Sequence, residues 1–265
     1  MSFSVLSPTD AQIGSSDATA PWWGAWSALL IVGCFYLTQT VGMFMVQIIA
    51  GFGLGLSQGM AGLSNLDQAW LLPLSLFLST VGGGMVSWQV AISRAKPSMN
   101  KDWFWSLFGD IPNLFSVGRF VALGIGLGLS FFILTENGVL PPDDLPQPIF
   151  DAMMSAPVLG KIGWIFMFVI LFPIIEETLF RGFLFTGLAQ SCGATFAAIV
   201  TTGLFVVVHM PKVLEYWPAL VAVILIGMLT VLLRIRTGCL APGMIMHGTY
   251  NGVLVISALL MQAPS

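Results

Sequence analysis

Charge is missing from this chain where a soluble fold needs it. From Trp22 to Leu56 there is no Asp, Glu, Lys, Arg or His, and further long apolar runs follow. Soluble domains carry about 25% charged residues; here only 8% are charged, and 57% are hydrophobic. Such a chain cannot coat a globular surface with charge. That excludes an ordinary cytoplasmic enzyme and a disordered protein. A net charge of −3 gives no basic footprint for phosphate, which excludes nucleic acid as a partner. A transmembrane helix needs about 20 mostly apolar residues. Seven stretches qualify: one within Trp22 to Leu56, then Gln68 to Ser93, Ser116 to Thr135, Lys161 to Leu188, Gly193 to His209, Trp217 to Leu233 and Leu240 to Met261. The expected fold is all-α, a polytopic transmembrane helical bundle of about seven spans, with six to eight as the range. The first stretch is long for one helix and has room for a re-entrant piece.

Residues 1–21 are polar, small and without Lys or Arg, so they lack the basic start of a secretory signal and read as a disordered tail. Residues 22–160 read as N-terminal transmembrane helices and loops, and residues 161–262 as a C-terminal transmembrane core. Arg94 to Pro112 has mixed charge with Trp103 and Trp105, which suits an interfacial segment. Glu136 to Asp151 is acidic and Pro-rich and reads as an extended loop. The glycines at 82–84 and at 124, 126 and 128 read as close helix packing. Cys34, Cys192 and Cys239 make neither metal-ligand spacing nor a disulfide framework and read as small buried hydrophobes.

A charge at membrane depth is costly and marks a functional site by default. The exceptions to the apolar pattern cluster. Glu176, Glu177 and Arg181 fall inside the fourth span, and the chain's two histidines are His209 and His247. Residues four apart share a helix face, while neighbours diverge by about 100°. Glu177 and Arg181 can therefore pair, leaving Glu176 free. His247 and Asn251 project together, and Phe205 sets an apolar wall beside His209. Glu176 is 16 residues before Cys192 and His209 is 17 after it, so a hairpin turning there brings them to equal depth. A carboxylate, two imidazoles and a carboxamide thus share one layer. The Glu177–Arg181 pair reads as structural rather than catalytic.

These residues resemble the motifs of the CPBP family, the intramembrane proteases grouped with CAAX prenyl endopeptidases and bacteriocin-processing or immunity proteins. The three motifs are Glu176-Glu177-x-x-x-Arg181, Phe205-x-x-x-His209 and His247-x-x-x-Asn251. The resemblance covers roughly residues 160–261, and all three motifs occur in order, each inside an apolar span. It implies peptide-bond hydrolysis within the membrane, with Glu176 and His209 activating water and His247 and Asn251 stabilising the oxyanion. Glu177 and Arg181 would hold the helix in register and tune Glu176. Two histidines and a carboxylate are also a zinc donor set with an open position, so Glu176, His209 and His247 are the ligands if a metal takes part. The His-Glu-x-x-His signature is absent. The resemblance tips the reading toward no obligatory metal while leaving zinc open.

Two other classes compete. One is a non-proteolytic membrane protein of the same fold, an immunity or scaffold protein. The other, less favoured, is a transporter, against which stands the lack of a repeat relating the two halves. The expected partners are the lipid bilayer and a membrane-associated peptide or protein, prenylated or leader-type. The expected setting is a bacterial inner membrane. With seven spans, the basic loops place the turn at 191–193 on the cytoplasmic side, while the depth count puts the site nearer the other face, so the span count and the face the site opens to stay open.

Overall fold

The computed structural model describes residues 23–64, 68–93, 113–136, 148–213 and 216–261. The tail at 1–21 and the interfacial segment at 94–112 lie outside them. Among the described residues every element is helical. We number them α1 (Ala25–Ser64), α2 (Gln68–Ser93), α3 (Leu114–Glu136), α4 (Pro148–Ser155), α5 (Val158–Cys192), α6 (Ala194–Val213), α7 (Trp217–Thr237) and α8 (Ala241–Met261). Six of them are long and apolar enough to cross a membrane, and Ala194–Met210 of α6 is a shorter apolar helix.

Two expectations about the N-terminal half need correction. The first stretch holds no re-entrant piece: α1 is one helix of 40 residues, roughly 60 Å at about 1.5 Å per residue. Its outward stripe of Leu37, Val41, Phe44, Ile48 and Phe52 is exposed, as a lipid-facing helix requires. The loop expected up to Asp151 is helical from Pro148, where a proline at the first helical position gives up an N–H that has no partner there anyway. The cysteines also differ from expectation. Only Cys239 is buried; Cys34 is half-buried, and Cys192 is exposed at the end of α5.

The glycine patches do bring helices together. A side chain on Gly83 would meet the Phe35 carbonyl at 3.0 Å, so α2 lies directly on α1. On Gly124 it would meet the Met246 carbonyl at 2.5 Å, and on Gly128 the Val253 Cβ at 2.7 Å, so α3 lies directly on α8. The two helix reversals that carry the site also depend on glycine. Gly193 (φ +85°) ends α5 and Gly238 (φ +70°) ends α7, both in backbone that L side chains resist.

Helix α5 is the centre. The α1–α2 pair packs on one side and the α3–α8 pair on another, with α6 and α7 closing the bundle. Two of its turns are π-helical, Met167–Leu171 and Thr178–Leu184, and they bracket the two glutamates. Wide turns of this kind free backbone carbonyls. At the first, the Phe172 N–H bonds the Met167 carbonyl, and Pro173 has no N–H to offer. The carbonyls of Phe168 and Val169 therefore face outward to α8. Asn251 donates its amide to Phe168 O at 2.9 Å, and Gly248 lies so close over Val169 O that a Cβ there would stand 2.5 Å from it. At the second, Trp23 donates its indole N–H to Phe183 O at 3.0 Å, fixing the start of α1.

Candidate active site

Three helices deliver the polar groups: Glu176, Glu177 and Arg181 from α5, His209 from α6, His247 and Asn251 from α8, with α7 behind them. Glu176 lies between the two histidines. Its Oε1 is 4.0 Å from His209 Nε2, and its Oε2 is 3.9 Å from His247 Nε2. Glu176 and His209 keep about a fifth of their side-chain surface open, 20% and 19%. The expected meeting of Glu176 with His209 across the α5–α6 hairpin is thus present in the geometry.

Behind this open pair the groups are sealed. Glu177 and Arg181 are each 1% exposed and pair at 3.3 Å. Arg181 donates a second hydrogen bond to Gly227 O at 2.9 Å, and its guanidinium lies 4.5 Å over the Phe205 ring. A charge pair with so little water leans on its remaining contacts. Here α7 supplies a carbonyl and α6 the aromatic face, while Arg181 Nε is buried without a hydrogen-bond partner among the described residues. Phe205 does more than form a wall. Its ring centroid is 4.5 Å from that of His209, 6.1 Å from that of His247 and 5.2 Å from that of Phe180, so one ring spaces both imidazoles and the guanidinium.

Sequence reasoning missed part of this. Glu177 also contacts His247, whose Nδ1 lies 3.0 Å from Glu177 Oε1. The pair expected to be a local helix staple is therefore one arm of a bridge that runs Arg181, Glu177, His247. Glu177 Oε2 faces the first turn of α8, where a Cβ on Gly243 would stand 3.2 Å from it. The partial positive charge of a helix N-terminus favours an anion there. Tyr36 was missed as well. It comes from α1, outside all three motifs, packs on Phe180 at 6.3 Å and lies within Coulombic range of Glu176 and Arg181. Asn251 departs from its expected partnership. It shares a face of α8 with His247, but one amide hydrogen is committed to Phe168 O, leaving the second for any other use.

The donor types of a zinc site are present in Glu176, His209 and His247. Their spacing is not: among the described residues no three His, Cys, Asp or Glu side chains are grouped closely enough to hold a metal ion. Carboxylate-to-nitrogen gaps near 4 Å are too long for a direct hydrogen bond and suit one water between the two groups.

Residues 158–253 match the family model described as Type II CAAX prenyl endopeptidase Rce1-like. No curated protein and no solved structure matches the chain significantly. The matched residues contain all three motifs, and the six apolar helices make the chain an integral multi-pass membrane protein. The segment that runs from α5 into α8 is thus similar to the Rce1-like family, in agreement with the resemblance that the three motifs carry.

Proposed function

We propose that the chain is an intramembrane endopeptidase that hydrolyses a peptide bond in a membrane-associated substrate, a prenylated or leader-type peptide, with residues 161–262 as its catalytic core. The observation that carries this reading is the carboxylate of Glu176 set between two imidazole nitrogens at 4.0 and 3.9 Å, in the partly open layer of an otherwise sealed cluster. A purely structural bundle has no use for a second carboxylate beside the Glu177–Arg181 pair.

Glu176 is the general base. A water held by Glu176 and His209 gives one proton to the carboxylate as its oxygen attacks the scissile carbonyl carbon. The C–O bond forms, and the carbonyl electrons move to oxygen. The oxyanion is met by the second amide hydrogen of Asn251; His247 joins it only when its Nε2 carries a proton. On collapse the C–N bond breaks, and the proton on Glu176 passes to the leaving amine. Water adds across the peptide bond, and Glu176 ends as it began. Each element is a known source of rate: a positioned base supplies about 10²–10⁴-fold, and a preorganised oxyanion donor about 10²–10³-fold.

The test is cleavage by the purified, detergent-solubilised protein of quenched peptides, farnesylated and leader-type. The expected result is turnover by wild type and loss in Glu176→Ala. Intact function in cells of Glu176→Ala, with no cleavage by either protein, would instead support the scaffold reading.

A further inference from the structure

We propose that Glu177 and the Phe205 carbonyl act as tautomer locks, holding both histidines with hydrogen on Nδ1 so that both Nε2 atoms face Glu176 as hydrogen-bond acceptors. Glu177 is then a positioning residue for the site, acting through His247.

The two hydrogen bonds carry this. His209 Nδ1 lies 2.7 Å from the carbonyl oxygen of Phe205, one turn back on α6. A carbonyl only accepts, so Nδ1 carries the hydrogen, and a neutral ring then has a bare Nε2. His247 Nδ1 lies 3.0 Å from Glu177 Oε1. The same oxygen lies 3.3 Å from Arg181 Nη1. A guanidinium is always charged and never accepts, so it holds Glu177 as a carboxylate, which again only accepts. The second ring is fixed in the same tautomer by a different element. One lock comes from backbone and the other from a buried side chain, and they produce the same chemical face.

The consequence lies in the layer between them. Two bare ring nitrogens opposite a carboxylate, at 4.0 and 3.9 Å, present acceptors only. A group with two hydrogens bridges the carboxylate and one ring nitrogen. A water that gives one hydrogen to Glu176 and the other to a ring nitrogen has its lone pairs turned away from both, toward a substrate carbonyl. In this state neither ring donates to an oxyanion, so the Asn251 amide is the donor until a proton reaches a ring. This catalytic consequence rests on the protease reading; the tautomers themselves rest on the hydrogen bonds alone.

The chain has only two histidines. Selective ¹⁵N labelling of imidazole in the detergent-solubilised full chain, prepared with a chelator and recorded at alkaline pH, therefore gives two rings to read. His209→Gln assigns them. Wild type is expected to show Nδ1–H on both. Glu177→Ala is expected to release His247 alone toward Nε2–H, while Glu177→Gln, which keeps an acceptor oxygen, retains the wild-type pattern. Cleavage by the same proteins is expected to fall about 10–100-fold in kcat at unchanged KM for Glu177→Ala, the size of loss that a metal-ligating histidine shows without its orienting partner, with partial recovery in Glu177→Gln. A wild-type ring carrying Nε2–H overturns the proposal, whether or not Glu177→Ala folds. So does a Glu177→Ala spectrum identical to wild type. Absence of cleavage in wild type overturns the protease reading and leaves the tautomer result standing.

Discussion

Adding one methyl group to Gly248 tests whether the first π turn of α5 sets the position of the site. A Cβ there would stand 2.5 Å from Val169 O, and real Cβ contacts begin near 3.0 Å and become ordinary at 3.4 Å. The obstacle is backbone in the middle of a helix, not the end of a flexible side chain. Helix α8 must therefore retreat from α5 by the difference, about 0.5–0.9 Å. That retreat acts on the neighbouring residue: the 3.0 Å contact of His247 with Glu177 opens beyond hydrogen-bond range. Overpacking of this size costs about 1–3 kcal/mol of stability. A displacement near 1 Å at a catalytic group costs about 10²-fold in rate. Gly252→Ala is the matched control, because its Cβ would meet the Val169 methyls at 3.7 and 3.8 Å, an ordinary contact. Peptide cleavage and thermal unfolding of both variants decide it. Gly248→Ala is expected to lose activity and melting temperature, and Gly252→Ala neither. Equal behaviour of the two would refute the claim that the close α5–α8 approach positions His247.

Removing Arg181 strands the Glu177 carboxylate in a dry site. Arg181→Met is therefore expected to lose about 3–5 kcal/mol, and the double variant Arg181→Met/Glu177→Gln to regain part of that stability without activity, as read by a double-mutant cycle on unfolding. Asn251→Ala leaves the Phe168 carbonyl without its amide partner and is expected to cost about 1–3 kcal/mol as well as activity; unchanged melting would mean that the amide does not tie the π turn. Gly238→Ala places an L side chain at φ +70° and is expected to cost about 1–2 kcal/mol with kcat unchanged, since the turn only returns the chain from α7 to α8. Exhaustive chelation is expected to leave cleavage intact, and loss restored by added zinc would contradict this.

The residues of the central layer were legible because lipid makes polar groups scarce. With two histidines in the chain and one short charged run inside a span, few groups could have met Glu176. Depth followed from counting residues to the Gly193 turn. The second role of Glu177 was not legible. Neighbouring helical residues diverge, so Glu176 and Glu177 read as serving different faces. In the structure they lie at opposite sides of one ring, Glu177 bonded at Nδ1 and Glu176 3.9 Å from Nε2 of His247. Only tertiary packing shows that both carboxylates reach the same ring. The π turns were also hidden, because apolar sequence carries no mark of them apart from Pro173, whose missing N–H frees the carbonyls that α8 reads. Asn251 read as a partner of His247 because both share a helix face; the sequence could not show which carbonyl stood opposite its amide. Tyr36 lies on a helix whose composition serves lipid, and nothing in its spacing points at α5.

Cleavage by wild type and Glu176→Ala, side by side on the farnesylated and leader-type peptides, tests the central claim most directly. The account predicts turnover that the substitution abolishes while the melting temperature holds, because Glu176 is the partly exposed carboxylate and not the sealed one. Turnover by Glu176→Ala at the wild-type rate would contradict it.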